Sequence, residues 1–142
     1  MTAAEAALPG RAAAALRLYL WAVMAGLLLQ GAGSLLMAFR PDVQAATPGL
    51  LATVMNGNPP HAWLHVAWGA AGLPYLALFR SAGARIGLGA AFGAFYTALG
   101  FLGVGVHHPL AMRLELPENV FHLTVGPVML LLTWLAAGAR GR

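Results

Sequence analysis

The sequence has no cysteine and no lysine, and only four acidic residues among its 142. Without cysteine there is no disulfide, no thiolate metal site and no cysteine nucleophile. Charged residues make up 8% of the chain, against about a quarter in a soluble domain. Such a chain cannot cover a core with a hydrated surface, so its solvent is lipid. Catalytic signatures are missing as well: there is no Gly-x-Ser-x-Gly, Ser-x-x-Lys or His-Glu-x-x-His, and no phosphate-cradling loop. No catalytic residue is assigned, and the reading leans away from an enzyme. A net charge of +4 raises the question of nucleic acid. The arginines stand singly, with no basic stripe or aromatic-interleaved module, and this excludes nucleic acid as a partner.

What the chain has in abundance is apolar sequence, at 60% of its residues. A hydrocarbon core of about 30 Å needs roughly 20 apolar residues in a helix. Four segments reach that length, over 17–39, 60–79, 86–106 and 117–137. Backbone polar groups in lipid must be satisfied within each span, which selects helices, and the segments show no strand-like alternation. The expected fold is therefore an all-α, four-transmembrane-helix bundle in one membrane domain. The loop between the first two spans contains Thr47-Pro48 followed by Leu50, Leu51, Val54 and Met55, and predicts a short interfacial helix over 47–56. The apolar run before Val43-Gln44-Ala45 is too long for a cleaved leader.

Arginine placement sets the expected orientation. Arg11, Arg17, Arg80, Arg85, Arg140 and Arg142 fall on one side, and only Arg40 and Arg113 on the other. The positive-inside rule then puts both termini in the cytoplasm. Tyr19, Trp21, Trp134 and Trp63 fall at span ends, where aromatic residues anchor helices to the interface.

The fourth segment partly repeats the second. His65-Val-Ala-Trp-Gly69 and His122-Leu-Thr-Val-Gly126 share His-x-x-x-Gly, each preceded by an aromatic residue and a proline. The pattern suggests two helical hairpins in the same orientation, related by an axis along the membrane normal. Gly89, Gly93 and Thr97 form a small-residue stripe of the kind that lets helices pack closely in lipid. Gln30 and Ser34 are expected interhelical hydrogen-bond partners.

The orientation brings all five histidines to the outer side, and ionisable groups at membrane depth generally face the bundle interior. Three readings stand side by side. Histidines can serve structure alone, hydrogen-bonding across the bundle. They can form a metal site, with the i, i+4 pair His61 and His65 joined by His122 and completed by Glu118 or His108, suited to zinc or copper. Or His65 and His122 can hold a haem or a chlorophyll-type pigment axially, the glycine one turn below each leaving room for a flat ring.

Asn58-Pro-Pro-His-Ala-Trp-Leu-His65 through Gly69, and Glu118-Asn-Val-Phe-His122 through Gly126, resemble the paired helix starts of a family of small four-helix bacterial membrane proteins catalogued as a domain of unknown function. The resemblance spans most of the chain, although the first loop is longer here and the first segment carries two histidines. It implies the four-helix fold and a bacterial inner (plasma) membrane, and it brings no activity. The expectation is a non-enzymatic membrane protein that binds a partner or ligand at its outer face through the histidine cluster. The rival is a cofactor-carrying subunit of a membrane complex, and a small transporter or membrane enzyme stands third. Expected partners are the bilayer and either other membrane subunits or further copies of the chain.

Overall fold

The computed structural model describes residues 3–49, 55, 58–106 and 109–138, with side chains from residue 10 onward. Five α-helices account for most of them: α1 (Ala3–Phe39), α2 (Pro41–Ala46), α3 (Pro59–Leu78), α4 (Ala82–Gly105) and α5 (Leu116–Gly138), with a single 3-10 turn at Pro109–Ala111. No strand occurs among the described residues.

Three helices are long and apolar enough to cross a membrane: Gly10–Phe39 within α1, and all of α4 and α5. The expected fourth, α3, has the length, at 20 residues. It falls outside the set by composition, because His61, His65 and its leading prolines dilute the apolar residues. The first helix starts well before Arg17, since the alanine-rich stretch from Ala12 to Ala15 propagates helix readily. The loop after α1 also departs from expectation. Its described helix is α2, which Pro41 starts at the first helical position and Asp42 supports in the first turn. Most of the interfacial helix expected over 47–56 lies outside the described residues. Met55, which is described, rests on Gly33 of α1 and ties the loop back to the bundle.

Helix starts follow side-chain capping. The Asn58 side chain accepts a hydrogen bond from the His61 backbone N–H at 3.1 Å, with prolines in the next two positions. The Ser81 hydroxyl accepts one from the Ala84 N–H at 3.1 Å and turns the chain from α3 into α4. Both α3 and α5 remain helical through internal prolines, Pro74 and Pro127.

The helices pair as α1 with α3 and α4 with α5, and α1 links the pairs by packing on α5. Tyr19 of α1 donates to the Val125 carbonyl of α5 at 3.4 Å. Within each pair the backbones touch through glycine. A Cβ on Gly69 of α3 would lie 2.7 Å from the Met24 carbonyl and the Leu28 amide of α1, and one on Gly126 of α5 would lie 2.6 Å from the Thr97 amide of α4. Reciprocally, Gly31 of α1 lies against the Cβ of His65, and Gly100 of α4 against the Cβ of His122. Met24, Leu28 and Gly31 in the first pair thus have Gly93, Thr97 and Gly100 as counterparts in the second. Close approach through small residues is how helices associate where lipid removes the hydrophobic drive.

Between the pairs the backbones stand further apart and side chains fill the gap. The core holds Leu16, Leu20, Met24, Leu27, Leu76, Phe92, Tyr96 and Met129. Trp68 of α3 meets Phe92 edge-on with ring centroids 5.1 Å apart. At one end, the connection from α4 to α5 tucks Met112 and Leu114 against Leu99 and Leu64. There Leu110 and Ala111 adopt left-handed conformations, with φ of 55° and 61°. Such residues cost about 1–2 kcal/mol each, which the burial of Pro109, Met112 and Leu114 offsets.

Candidate functional site: a buried three-histidine cluster

His61 and His65 lie one turn apart at the start of α3 and share a face. His122 projects from α5 across the gap between the pairs. One ring nitrogen from each of the three lies within 4.8 Å of one from each of the others. The His61 and His122 Nε2 atoms are 3.2 Å apart. Ring centroids are separated by 4.3 Å for His61–His65, 5.2 Å for His61–His122 and 6.2 Å for His65–His122. The three residues are 2%, 3% and 0% exposed. The surrounding helices thus enclose the three rings almost completely.

A polar relay orients His65. The Gln30 amide nitrogen donates to the Ser34 hydroxyl at 3.1 Å, which turns the Gln30 carbonyl oxygen toward Nδ1 of His65. Nδ1–H is then the donor, and Nε2 carries the free lone pair. That Nε2 is buried and has no hydrogen-bond partner, and the same holds for Nδ1 of His122. Orphaned buried polar atoms are uncommon, and these two nitrogens are available to a ligand. Tyr96 of α4 stacks beside His65 at 6.1 Å and meets His122 edge-on at 5.2 Å, with its hydroxyl also buried and unpartnered.

The structure separates the residues expected to form the site. His61, His65 and His122 come together. Glu118 lies outside that group of ligand atoms but lines the same cavity, with one carboxylate oxygen buried and unpartnered. His107 and His108 lie outside the described residues. Gln30 pairs across helices as expected, whereas Ser34 serves its own helix. Tyr96 escaped the sequence reading. A tyrosine in mid-span with no aqueous interface nearby was the available signal, because a buried hydroxyl calls for a partner.

The macrocycle arrangement does not fit. Axial ligands approach an iron from opposite faces of a flat ring, yet here His61 sits against both His65 and His122. The room expected below each histidine is also filled: Gly69 abuts the α1 backbone and Gly126 the α4 backbone. These glycines admit helices, not a ring.

Compared with protein-family models, curated proteins and solved structures, the chain matches none.

Proposed function

We propose that the chain is a multi-pass membrane protein that binds a single transition-metal ion through His61, His65 and His122. The observation that carries this is the convergence of three buried imidazoles, each with a ring nitrogen within 4.8 Å of one from each of the others. In a tetrahedral zinc site, with bonds of about 2.0–2.1 Å, neighbouring nitrogens stand about 3.3–3.4 Å apart. The 3.2 Å between His61 and His122 is close to that edge, and a His65 ring nitrogen lies within 4.8 Å of a nitrogen of each. Gln30 takes the part that outer partners play at such centres, fixing the ligand's tautomer through its other ring N–H. Three protein ligands leave a fourth position open, which is the pattern of a working site as opposed to a closed structural one. Zinc and copper both suit imidazole.

In this reading α3 is the fourth crossing. Its polar first turns are then at the bundle's outer end; the arginine distribution supports cytoplasmic termini, and the resemblance of the two histidine segments supports a bacterial inner membrane. The shared glycine contacts of the two helix pairs support a duplicated hairpin, with the centre at the junction of the copies. Binding of a small ligand at this end is the function, without covalent chemistry.

The test is metal analysis of the full chain purified in detergent and equilibrated with zinc or copper(II), then freed of excess. About one ion per chain is expected, falling to background in His61→Ala, His65→Ala and His122→Ala. Metal content unchanged in all three variants overturns the proposal.

A further inference from the structure

Beside the histidines lies a cavity of 510 Å³ between α1, α3 and α5, within the size range of small-ligand sites. Its walls are apolar: Ala22, Val23, Gly26 and Leu27 of α1, and Phe121 of α5. Its polar groups gather at one end, where Gln30, His61, His65 and Glu118 line it. Two of these lining residues, His65 and Glu118, carry buried atoms with no hydrogen-bond partner, and His65 is almost wholly enclosed.

The position of the mouth identifies the source of the occupant. Ala22 and Gly26 are exposed and sit midway along the apolar span Gly10–Phe39. On the same helix Leu18 and Leu29 are 72% and 70% exposed, as expected of a surface facing hydrocarbon. An opening bordered by such residues leads into the bilayer and not into water. Over Gly26 there is open space, with no atom within 4 Å of where a Cβ would stand. Glycine is not needed there for helix packing, unlike at Gly69 and Gly126.

We infer that this cavity takes a lipophilic small molecule from the bilayer, one with an apolar body and a single neutral hydroxyl head. The body lies along Ala22, Val23, Gly26 and Phe121. The head reaches the polar end, where it meets the fourth position of the metal centre and the Glu118 carboxyl. A charged head is excluded by the apolar walls it would have to pass, since charge is costly at membrane depth. A purely apolar molecule, or a head that only accepts, would leave the unpartnered Glu118 oxygen without a donor. The head-group contact rests on the metal reading; the cavity and its lipid-side mouth do not.

The experiment uses the full chain in phosphatidylcholine nanodiscs with 2-undecanol carrying a diazirine on its alkyl chain. After photolysis, peptide mapping should place the label in 22–30 and 117–121. Excess 2-undecanol should compete it away, and undecane, which lacks the head, should compete poorly. Gly26→Phe, which fills the open space, should lower the competed label about tenfold, and Gly26→Ala should lower it less. Label spread evenly over lipid-facing residues, label unchanged in Gly26→Phe, or competition by undecane equal to that by the alcohol would each overturn the inference. Thermal unfolding of the same samples reports that Gly26→Phe is folded, and their metal content separates the two proposals. A chain that holds metal without competed label leaves the centre standing and removes the ligand. Competed label without metal does the reverse.

Discussion

The two helix pairs, α1 with α3 and α4 with α5, are joined by the same backbone contacts yet carry different polar groups. Gly31 against His65 and Gly69 against Met24 and Leu28 have their counterparts in Gly100 against His122 and Gly126 against Gly93 and Thr97. In the first pair the turn before the shared histidine presents His61, and α1 supplies Gln30 and Ser34. In the second pair that turn presents Glu118, and α4 supplies the aromatic wall of Phe92 and Tyr96. Contacts made by the backbone leave side chains on the other faces free to diverge. The difference explains why the cluster lies between the pairs: each contributes imidazole toward a gap that backbone contact does not close.

The comparison breaks most visibly at the ligands. His122→Ala removes the second pair's sole described imidazole, and His65→Ala removes its counterpart. Each should take bound metal from about one ion per chain to background, as measured by elemental analysis. If His65→Ala alone has this effect, the site belongs to one pair and the comparison fails. Glu118→Gln should keep the metal, because the carboxylate lies outside the group of three nitrogens. Loss of metal there would make Glu118 a fourth ligand.

Next in size are the glycine contacts. Gly69→Leu and Gly126→Leu each drive a side chain into backbone that stands 2.6–2.7 Å from a Cβ. Backbone cannot rotate away as a side-chain tip can, so both should destabilise by about 3 kcal/mol or more, at the upper end of overpacking effects. Gly87→Leu meets nothing within 4 Å and should stay within about 0.5 kcal/mol of the parent. Thermal unfolding in detergent checks all three. A large effect at Gly69 with none at Gly126 would show that the second pair is held by its side chains.

Much of this architecture is legible in the residues. Asn58-Pro-Pro and the i, i+4 histidines mark the start of α3, and the His-x-x-x-Gly match marks the two equivalent helices. Small residues at Gly89, Gly93 and Thr97 announce a packed face, and Gly93 does meet α5. What could not be read is what the glycines beside the histidines admit. Spacing shows that Gly69 and Gly126 leave room, but whether a ring or a helix uses it depends on which backbone comes alongside. The same limit applies to Tyr96, whose position beside His65 and His122 follows from how α4 rotates against α5. The helix Pro41–Ala46 is less apparent in the sequence because the stretch that follows it is more apolar. Its proline at the first position and acidic second residue are the stronger start signal.

Gln30 offers a finer test. Gln30→Leu removes the carbonyl that fixes the His65 tautomer while keeping the bulk of the side chain. Loss of such outer partners typically weakens metal binding by about 10–100-fold. The variant should therefore still bind metal, with a dissociation constant raised by that factor in a competition titration. Unchanged affinity would mean that packing alone orients His65.

The smallest effect belongs to the exposed loop, where nothing depends on either pair. Arg40 donates to Asp42 through two bonds, the shorter at 2.7 Å. The guanidinium holds the Asp42 carboxyl below the usual carboxylate range. Because the folded-state value is depressed, any stability from this pair is present above the ordinary carboxylate pKa and is lost as pH falls through the depressed value. Both side chains are mostly exposed, however, and solvent-screened pairs of this kind contribute little. Asp42→Asn should thus match the parent Tm at pH 7 within about 1 °C, and the two melting curves should stay together as the pH is lowered. A variant that melts well below the parent at pH 7 but matches it at pH 2 would show that α2 holds the first pair in place. The independence of the cluster from this loop would then fail.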